Sequence, residues 1–396
     1  MTHRDSTVAA DGERASTARI DLRAVWVQIH LWLGLTLGVL GAVLGVSGSL
    51  LVYDHAIDAW LNPARYRISG ATVALPYAEY AQRAASAVGQ GARALNIRLP
   101  DGEAKPVVVF ARPRGEAAVI RRVYLDPATG RVLDAPAGRG LIAWAHDVHG
   151  SLLLREYNGR DIVGVVGVAV LISSLSGIYL WWPRRRFGAR DFGFRHGFTR
   201  SRNLHYTFGF YSSLVLAMLA FTGIAISFPE AARSAVAVFG KRSESPRNFQ
   251  ATPAAGGKSI SMDRAADVAR ELYPNATVIG VGAPSGPGGT FRVALREAGD
   301  DGPRPVTQVL IDPISGAVLR TVDRAGQTPG DAFLAYQRPL HEGATLGAIG
   351  RSAIFVVGFL PALFVVTGSM IWLRGRRARR RIIAIPDLTP PREEAA

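Results

Sequence analysis

The chain has 396 residues with 46 Lys and Arg against 31 Asp and Glu, a formal net charge of +15, and no cysteine. The lack of cysteine excludes disulfides, thiol catalysis, cysteine-held iron–sulfur clusters and the covalent attachment of a c-type haem. No nucleic-acid-reading motif accompanies the many arginines. The basic balance therefore predicts contact with the anionic headgroups of a lipid bilayer, and no nucleic acid as a partner.

Four apolar segments are each long enough to supply the roughly 20 residues that a helix needs to cross a bilayer. The first carries no charge between Arg23 and Asp54, and the third carries none between Arg202 and Glu230. Buried helices of soluble proteins seldom stay uncharged for so long, so we predict four transmembrane helices. The first segment exceeds the roughly 7–15-residue apolar region of a signal peptide, and we interpret it as an uncleaved anchor.

Arginine clusters set the predicted orientation, because short basic segments remain in the cytoplasm. Such clusters precede the first helix, fill the loop between the second and third, and follow the fourth. We therefore predict a multi-pass protein of the bacterial inner membrane with both termini in the cytoplasm. The predicted divisions are a cytoplasmic tail (1–25), transmembrane helix 1 (26–53), a first periplasmic domain (54–160), helix 2 (161–183), a basic cytoplasmic loop (184–203), helix 3 (204–228), a second periplasmic domain (229–345), helix 4 (346–373) and a basic cytoplasmic tail (374–396).

An internal repeat relates the two halves of the chain. Residues 124–133 resemble residues 310–319, and each stretch reads as a strand, an Asp-Pro-x-x-Gly turn and a second strand. A helix-like stretch precedes each hairpin, so each outer loop is predicted to be a small α+β domain. The predicted fold is a four-transmembrane-helix bundle built from a tandem two-helix repeat, with a pseudo-twofold axis along the membrane normal and two extracytoplasmic α+β domains.

A histidine stands at the approach to each apolar segment, and each segment carries a Ser/Thr-Gly pair near its far end. The spacing repeats: His30 precedes Gly34 by four residues, and His205 precedes Gly209 by four. Histidine in or beside a bilayer is costly and usually marks a pathway or a cofactor. The histidines are His30, His149, His205 and His341, and the pairs are Ser47-Gly48, Ser176-Gly177, Thr222-Gly223 and Thr367-Gly368.

Topology pairs these histidines by depth, His30 with His205 at the cytoplasmic side and His149 with His341 at the outer side. The two depths are roughly 27 Å apart along a helix, so we predict two non-covalent haem b groups in series, each with two histidine ligands to its iron. Arg160 and Arg351 occupy equivalent outer positions and are predicted to pair with haem propionates. No catalytic acid or base is predicted, because the Asp-Pro turns are explained by turn chemistry.

Other interpretations of the histidines remain open at this point. They could be helix-cap or headgroup-level residues, or they could hold zinc or copper, although His30 and His205 have no carboxylate or sulfur co-ligand nearby in the sequence. His146 lies three residues before His149, on the same face of a helix, and is a candidate alternative ligand or propionate partner.

Several motifs together resemble the PepSY-associated transmembrane helix family. They are Ile29-His30-Leu31-Trp32-Leu33-Gly34, Val148-His149-Gly150-Ser151-Leu152-Leu153, Asn203-Leu204-His205 with Gly209, Leu340-His341, and Trp181-Trp182-Pro183-Arg184-Arg185. The resemblance covers nearly everything between Arg23 and Arg381. It implies that the outer domains are PepSY domains and that the four histidines are haem ligands, since the family includes iron-regulated inner-membrane proteins and di-haem ferric-siderophore reductases.

The function that we expect is a di-haem b oxidoreductase. Electrons would enter from a cytoplasmic or quinol donor and reduce a periplasmic acceptor, which the resemblance implies to be a ferric siderophore. Two alternatives stay open. One is a non-enzymatic membrane anchor whose PepSY domains bind a peptide, a protease or another partner, and the other is a haem or metal transporter.

Overall fold

The structure is a computed structural model, and it describes residues 21–101, 104–116, 119–183, 188, 192–238, 257–286, 288–299, 307–323 and 327–383. The predicted tails up to residue 20 and after residue 383, and most of the predicted basic loop between the second and third transmembrane helices, lie outside these ranges.

Helices dominate the chain outside one sheet. In chain order they are α1 (Leu22–Thr36), α2 (Gly38–Val52), α3 (Asp54–Leu61), α4 (Tyr77–Val88), α5 (Leu141–Ser151), α6 (Gly159–Trp181), α7 (Arg200–Ser227), α8 (Pro229–Ala237), α9 (Met262–Leu272), α10 (Pro329–His341), α11 (Gly347–Gly358) and α12 (Leu360–Ile383), with short 3₁₀ turns at Pro63–Tyr66, Arg155–Tyr157 and Ala344–Leu346.

Three helical segments of the described chain are long and apolar enough to cross a membrane: α6, α7 and the continuous stretch Ala344–Arg380. Helices α1 and α2 pass the same test together but bend by 59° between them, so they supply a fourth candidate if the bent pair is one span. The four predicted transmembrane helices therefore correspond to three candidate spans and one strongly bent pair of helices. The sequence analysis did not predict the bend.

The last candidate span contains a smaller break between α11 and α12. Pro361 is the second residue of α12, where its missing N–H and its ring interrupt the hydrogen-bond ladder of a continuous helix. Glycines bring this part of the chain against α2: a Cβ on Gly45 would overlap the carbonyl of Gly358, and one on Gly358 would overlap the Ser49 hydroxyl. Small residues at such a crossing let two backbones pack directly against each other.

The strands of both outer loops form one antiparallel sheet of eight strands, in the order β4-β3-β2-β1-β5-β6-β7-β8. The first loop supplies α4 and four strands, and the second supplies α9 and the other four. The predicted α+β domains thus share a sheet through the pairing of β1 with β5. The strands are β1 (Arg93–Arg98), β2 (Val107–Arg112), β3 (Arg121–Leu125), β4 (Val132–Asp134), β5 (Thr277–Gly282), β6 (Phe291–Arg296), β7 (Thr307–Ile311) and β8 (Val318–Val322).

A row of fully buried β-branched residues crosses the join between the two halves of the sheet. Directly paired across six neighbouring strands are Val123, Val109, Ile97, Val281, Val293 and Val309. Helices α4 and α9 pack over this face, and the Asp263 carboxylate of α9 accepts hydrogen bonds from the backbone N–H groups of Tyr77 and Ala78 in α4. Cross-strand pairs of this kind are the main stabilising unit of a sheet, so the two halves share one core.

Both predicted Asp-Pro-x-x-Gly turns are confirmed, and their aspartates hold the turns together. Asp126 accepts hydrogen bonds from the backbone of Ala128 and Thr129 and from both the backbone and the hydroxyl of Ser69. Burial alone would raise the pKa of Asp126, but these hydrogen bonds outweigh it and lower the pKa to about 2. Asp312 accepts the equivalent bonds within the second turn. The carboxylates hold the turns, and Asp126 also ties its turn to the segment at Ser69, which agrees with a structural role.

Candidate functional site

The four histidines form two pairs inside the helical bundle. The ring centroids of His30 and His205 are 6.2 Å apart with the rings at 86°, and those of His149 and His341 are 6.0 Å apart with the rings at 52°. Each pair takes one histidine from each half of the chain. The histidines that are in contact in the structure are therefore the ones that the sequence predicts to lie at the same depth in the membrane.

The two pairs lie at opposite ends of α7. His205 is in its second turn, and His341 packs against Gly223, eighteen residues further along the same helix. At a rise of 1.5 Å per residue this separation is roughly 27 Å. We call the pair His30/His205 the inner pair and the pair His149/His341 the outer pair, after their predicted positions.

Every one of these histidines has its Nδ1 atom next to the hydroxyl of a Ser/Thr-Gly pair on another helix. Each hydroxyl belongs to the same half of the chain as the histidine that it contacts. The two histidines of a pair, in contrast, come from different halves. The Nδ1-to-oxygen distances are 3.0 Å for His30 and Ser176, 3.0 Å for His205 and Thr367, 2.8 Å for His341 and Thr222, and 3.3 Å for His149 and Ser47.

The glycine of each pair lies close to the imidazole ring, and the nearest ring atom is Cε1. A Cβ on Gly223 or on Gly368 would lie 3.3 Å from the Cε1 atom of His341 or His205 respectively. On Gly48 it would lie only 2.8 Å from Cε1 of His149, closer than such atoms normally approach. A side chain at Gly48 would therefore displace the ring of His149, whereas a Cβ on Gly177 would be in ordinary contact with His30, at 3.5 Å from Cε1.

Hydrogen bonding fixes the tautomer of these imidazoles. Each hydroxyl also lies 2.7–3.0 Å from a carbonyl of its own helix, for example Thr367 with Leu363 and Thr222 with Met218. A hydroxyl has one proton and a carbonyl can only accept, so the proton of the hydroxyl goes to the carbonyl. The hydroxyl oxygen must then accept a hydrogen bond from Nδ1–H. The lone pair of each imidazole is consequently at Nε2, the atom not engaged by the helix.

Two imidazoles arranged in this way fit a single metal ion between their Nε2 atoms. With metal–nitrogen bonds of roughly 2.0 Å and a ring radius of roughly 1.1 Å, opposed ligands place their ring centroids roughly 6.3 Å apart. Both observed separations lie close to this value. In the part of the chain that the structure describes, no group of three or more His, Asp or Glu residues could hold a metal ion. Each pair supplies two imidazoles, which is the number of protein ligands that a bis-histidine haem takes.

The inner pair also has space for a flat group beside it. Gly34 and Gly209 each lie one helical turn beyond a histidine of this pair, on the same face of the helix. Both glycines are half-buried, yet a Cβ on either would have no neighbouring atom within 4 Å. The repeated glycine that the sequence places four residues after each inner histidine thus borders open space.

The two arginines that were predicted to meet haem propionates differ in their surroundings. Arg160 donates from Nε to the carbonyl of Ser227 at 3.1 Å and from a terminal nitrogen to the carbonyl of Ile226. It thereby satisfies carbonyls at the end of α7, where basic side chains are favourable. Arg351 is exposed in the first turns of α11. A propionate contact by either residue stays a prediction.

His146, the alternative ligand from the sequence, is placed beside Asp54, with 3.7 Å between its Nε2 atom and the carboxylate. Burial raises the pKa of Asp54, but His146 and the neighbouring His55 more than offset this, and the net shift is downward. The next residue, Asp147, pairs with Arg139 and Arg155. These groups form a charged cluster around α5, adjacent to the outer pair.

Sequence reasoning noted the Ser/Thr-Gly pairs but missed their role. The signal was present, because each pair recurs at the same place in every apolar segment. It also missed the backbone carbonyl of Leu44, which lies 2.9 Å from Nδ1 of His149. A pattern of side chains cannot predict which backbone carbonyl is used, since every residue has one.

These elements define a multi-pass membrane protein in which a helical bundle with two buried histidine pairs is joined to an antiparallel sheet with two covering helices. The sequence profile of the PepSY-associated TM region matches residues 27–375, and the chain belongs to this family. A comparison with curated proteins finds no match.

Proposed function

We propose that the protein is a di-haem b oxidoreductase of the bacterial inner membrane that passes electrons across the bilayer to a periplasmic acceptor. The observation that carries this proposal is the pair of cross-half histidine contacts at 6.2 and 6.0 Å, with every Nδ1 atom held by the protein and every Nε2 atom left as a ligand. His30 and His205 would hold one haem, and His149 and His341 the other. A bound haem supplies one-electron redox chemistry at a potential set by its ligands and their hydrogen bonds.

The work of the chain in this proposal is to bind and to orient. The four histidines supply the axial ligands, the hydroxyls fix their tautomer, and the glycines allow the close approach. No side chain has to move a proton, which agrees with the structural use of Asp126 and Asp312. The four histidines are half-buried in the bundle, where a dielectric constant below that of water strengthens their hydrogen bonds.

The acceptor is proposed from the position of the outer pair and from the family resemblance. The outer pair lies at the end of the bundle from which the sheet domain extends, because α5, which carries His149, and α10, which carries His341, are the first helices that follow each half of the sheet. We identify the two halves of the sheet as PepSY domains and the acceptor as a ferric siderophore. One electron converts ferric to ferrous iron, which the chelator holds less tightly, and the donor is a cytoplasmic reductant or a quinol.

The orientation can be tested with single cysteines, because the chain has none of its own. Ser86 is exposed on α4 of the sheet domain, and His196 is exposed between α6 and α7. In intact spheroplasts, a membrane-impermeant maleimide is expected to label Ser86→Cys and to spare His196→Cys. After permeabilisation with detergent both should react, which controls for the reactivity of each thiol. Labelling of His196→Cys alone in intact spheroplasts would invert the proposed topology.

The function itself is tested by spectroscopy and electron transfer on detergent-purified protein. We expect two equivalents of iron protoporphyrin per chain and reduced-minus-oxidised difference bands of six-coordinate b-type haem. Protein reduced with dithionite and freed of excess reductant should be reoxidised by a ferric chelate, with one ferrous iron trapped by a ferrous-specific chelator for each electron lost.

The other outcomes separate the alternatives. Colourless protein would contradict the cofactor assignment and favour a membrane anchor with partner-binding PepSY domains. A haem that exchanges freely with added apomyoglobin would favour a transporter. Fully loaded protein that gives no electron to any ferric chelate would overturn the reductase assignment while leaving the haem sites in place.

A further inference from the structure

We infer that the hydroxyls of the Ser/Thr-Gly pairs are positioning residues that lock the Nδ1–H tautomer of the four histidines, and that they are unequal: the Thr367 hydroxyl is indispensable to His205, whereas the Ser47 hydroxyl is dispensable to His149. The effect on the iron rests on the proposed function. The tautomer lock is a property of the chain itself.

The inequality follows from what else each imidazole can reach. In the described part of the chain, Thr367 Oγ1 is the acceptor in hydrogen-bonding geometry with Nδ1 of His205, at 3.0 Å. His149 has two acceptors, the Leu44 carbonyl at 2.9 Å and the Ser47 hydroxyl at 3.3 Å. The carbonyl is the nearer of the two, and it cannot be removed by changing a side chain. Loss of the Ser47 hydroxyl therefore leaves the tautomer of His149 fixed.

The tautomer matters because a neutral imidazole can present a lone pair at only one nitrogen. The hydrogen-bond acceptor next to one ring nitrogen decides that this nitrogen carries the proton. With the Thr367 hydroxyl gone, Nδ1–H would be a donor without an acceptor inside the bundle, which is unfavourable. In the absence of a bound ion, His205 would then turn or change tautomer. With iron bound, Nε2 would remain a ligand while Nδ1–H lacked its acceptor.

The same hydrogen bond also changes the electron density on the ligand. An Nδ1–H group that donates to an oxygen makes Nε2 more basic, and a more basic ligand favours ferric over ferrous iron. Removal of the acceptor should therefore shift the inner site towards the ferrous state. The outer site should not respond to a change at Thr367, because the histidine that Thr367 contacts is His205, a member of the inner pair.

The test compares Thr367→Val, which keeps the branched shape and removes the hydroxyl, with Thr367→Ser, which keeps the hydroxyl. Ser47→Ala is the matched variant at the position with a second acceptor. On protein with ¹⁵N-labelled histidine from which any haem has been extracted, nitrogen–proton couplings report the tautomer of each ring, and His205→Gln identifies the signal of His205. We expect Thr367→Val to lose the Nδ1–H signal of His205, and Thr367→Ser and Ser47→Ala to retain all four.

A redox titration of the same variants before haem extraction gives an independent measurement. Thr367→Val is expected to change the ferric-to-ferrous ratio of one component by roughly tenfold at a fixed potential, which is about 59 mV upward for a one-electron couple. Thr367→Ser should restore the native value, and Ser47→Ala should leave both components in place. Native tautomers in Thr367→Val, or an equal loss in Ser47→Ala, would overturn the inference. Colourless protein with locked tautomers would contradict the proposed function and leave the inference standing.

Discussion

Replacement of His30 by alanine is expected to remove one of two haems from the protein and to leave the spectrum of the other unchanged. The reason is that both ligands of a site serve the same iron: His30 and His205 face each other at 6.2 Å, whereas His149 and His341 lie at the far end of α7. His205→Ala should therefore have the same effect as His30→Ala. His149→Ala and His341→Ala should each remove the other haem. Pyridine haemochrome assays and low-temperature difference spectra measure the stoichiometry and the identity of the lost component.

Double variants make this prediction sharper. His30→Ala combined with His205→Ala should resemble either single variant, because residues that act as one unit are not additive. His30→Ala combined with His149→Ala should lose both haems. His55→Ala is a suitable control, since His55 is exposed and lies outside both pairs. If His30→Ala and His149→Ala removed the same spectral component, the pairing in the structure would be wrong.

The parts of this protein that the sequence predicts well are those with a local signal. Apolar length gives the spans, and Asp126-Pro127 and Asp312-Pro313 mark the two hairpin turns. The histidine pairs follow from one further step, since topology places His30 and His205 at one depth and His149 and His341 at the other. Each of these conclusions needs only the order of residues along the chain and the thickness of a bilayer.

The parts that the sequence does not predict depend on contacts between distant segments. The pairing of β1 with β5 joins strands about 180 residues apart, and either strand could equally have ended a small separate sheet. No proline in α1 or α2 predicts the 59° bend between them. The hydrogen bonds of Arg160 to the carbonyls at the end of α7 are a third example, because no sequence pattern predicts them; its contact with a propionate stays a prediction.

Substitution of Gly209 by leucine is expected to abolish the inner haem without unfolding the protein. Gly209 follows His205 by one helical turn, and a Cβ there has no atom within 4 Å, so a leucine side chain would enter the open space beside the inner pair. In the interior of a helix, leucine is favoured over glycine by about 0.5–1 kcal/mol, so α7 itself should gain stability. Gly34→Leu is expected to give the same result from the facing helix. Haem content and helical circular dichroism, measured on the same preparation, separate the loss of the cofactor from the loss of the fold.

Gly375→Leu provides the matched control for this prediction. Gly375 is also a helical glycine with no atom within 4 Å of its Cβ position, but it is exposed near the end of α12 and away from both histidine pairs. It should retain two haems. Gly209→Leu should retain the outer haem with an unchanged potential, because the outer pair contacts α7 eighteen residues from His205, at Gly223. A fully loaded Gly209→Leu protein would contradict this prediction and show that the open space beside Gly209 belongs to lipid or water and is not occupied by the macrocycle.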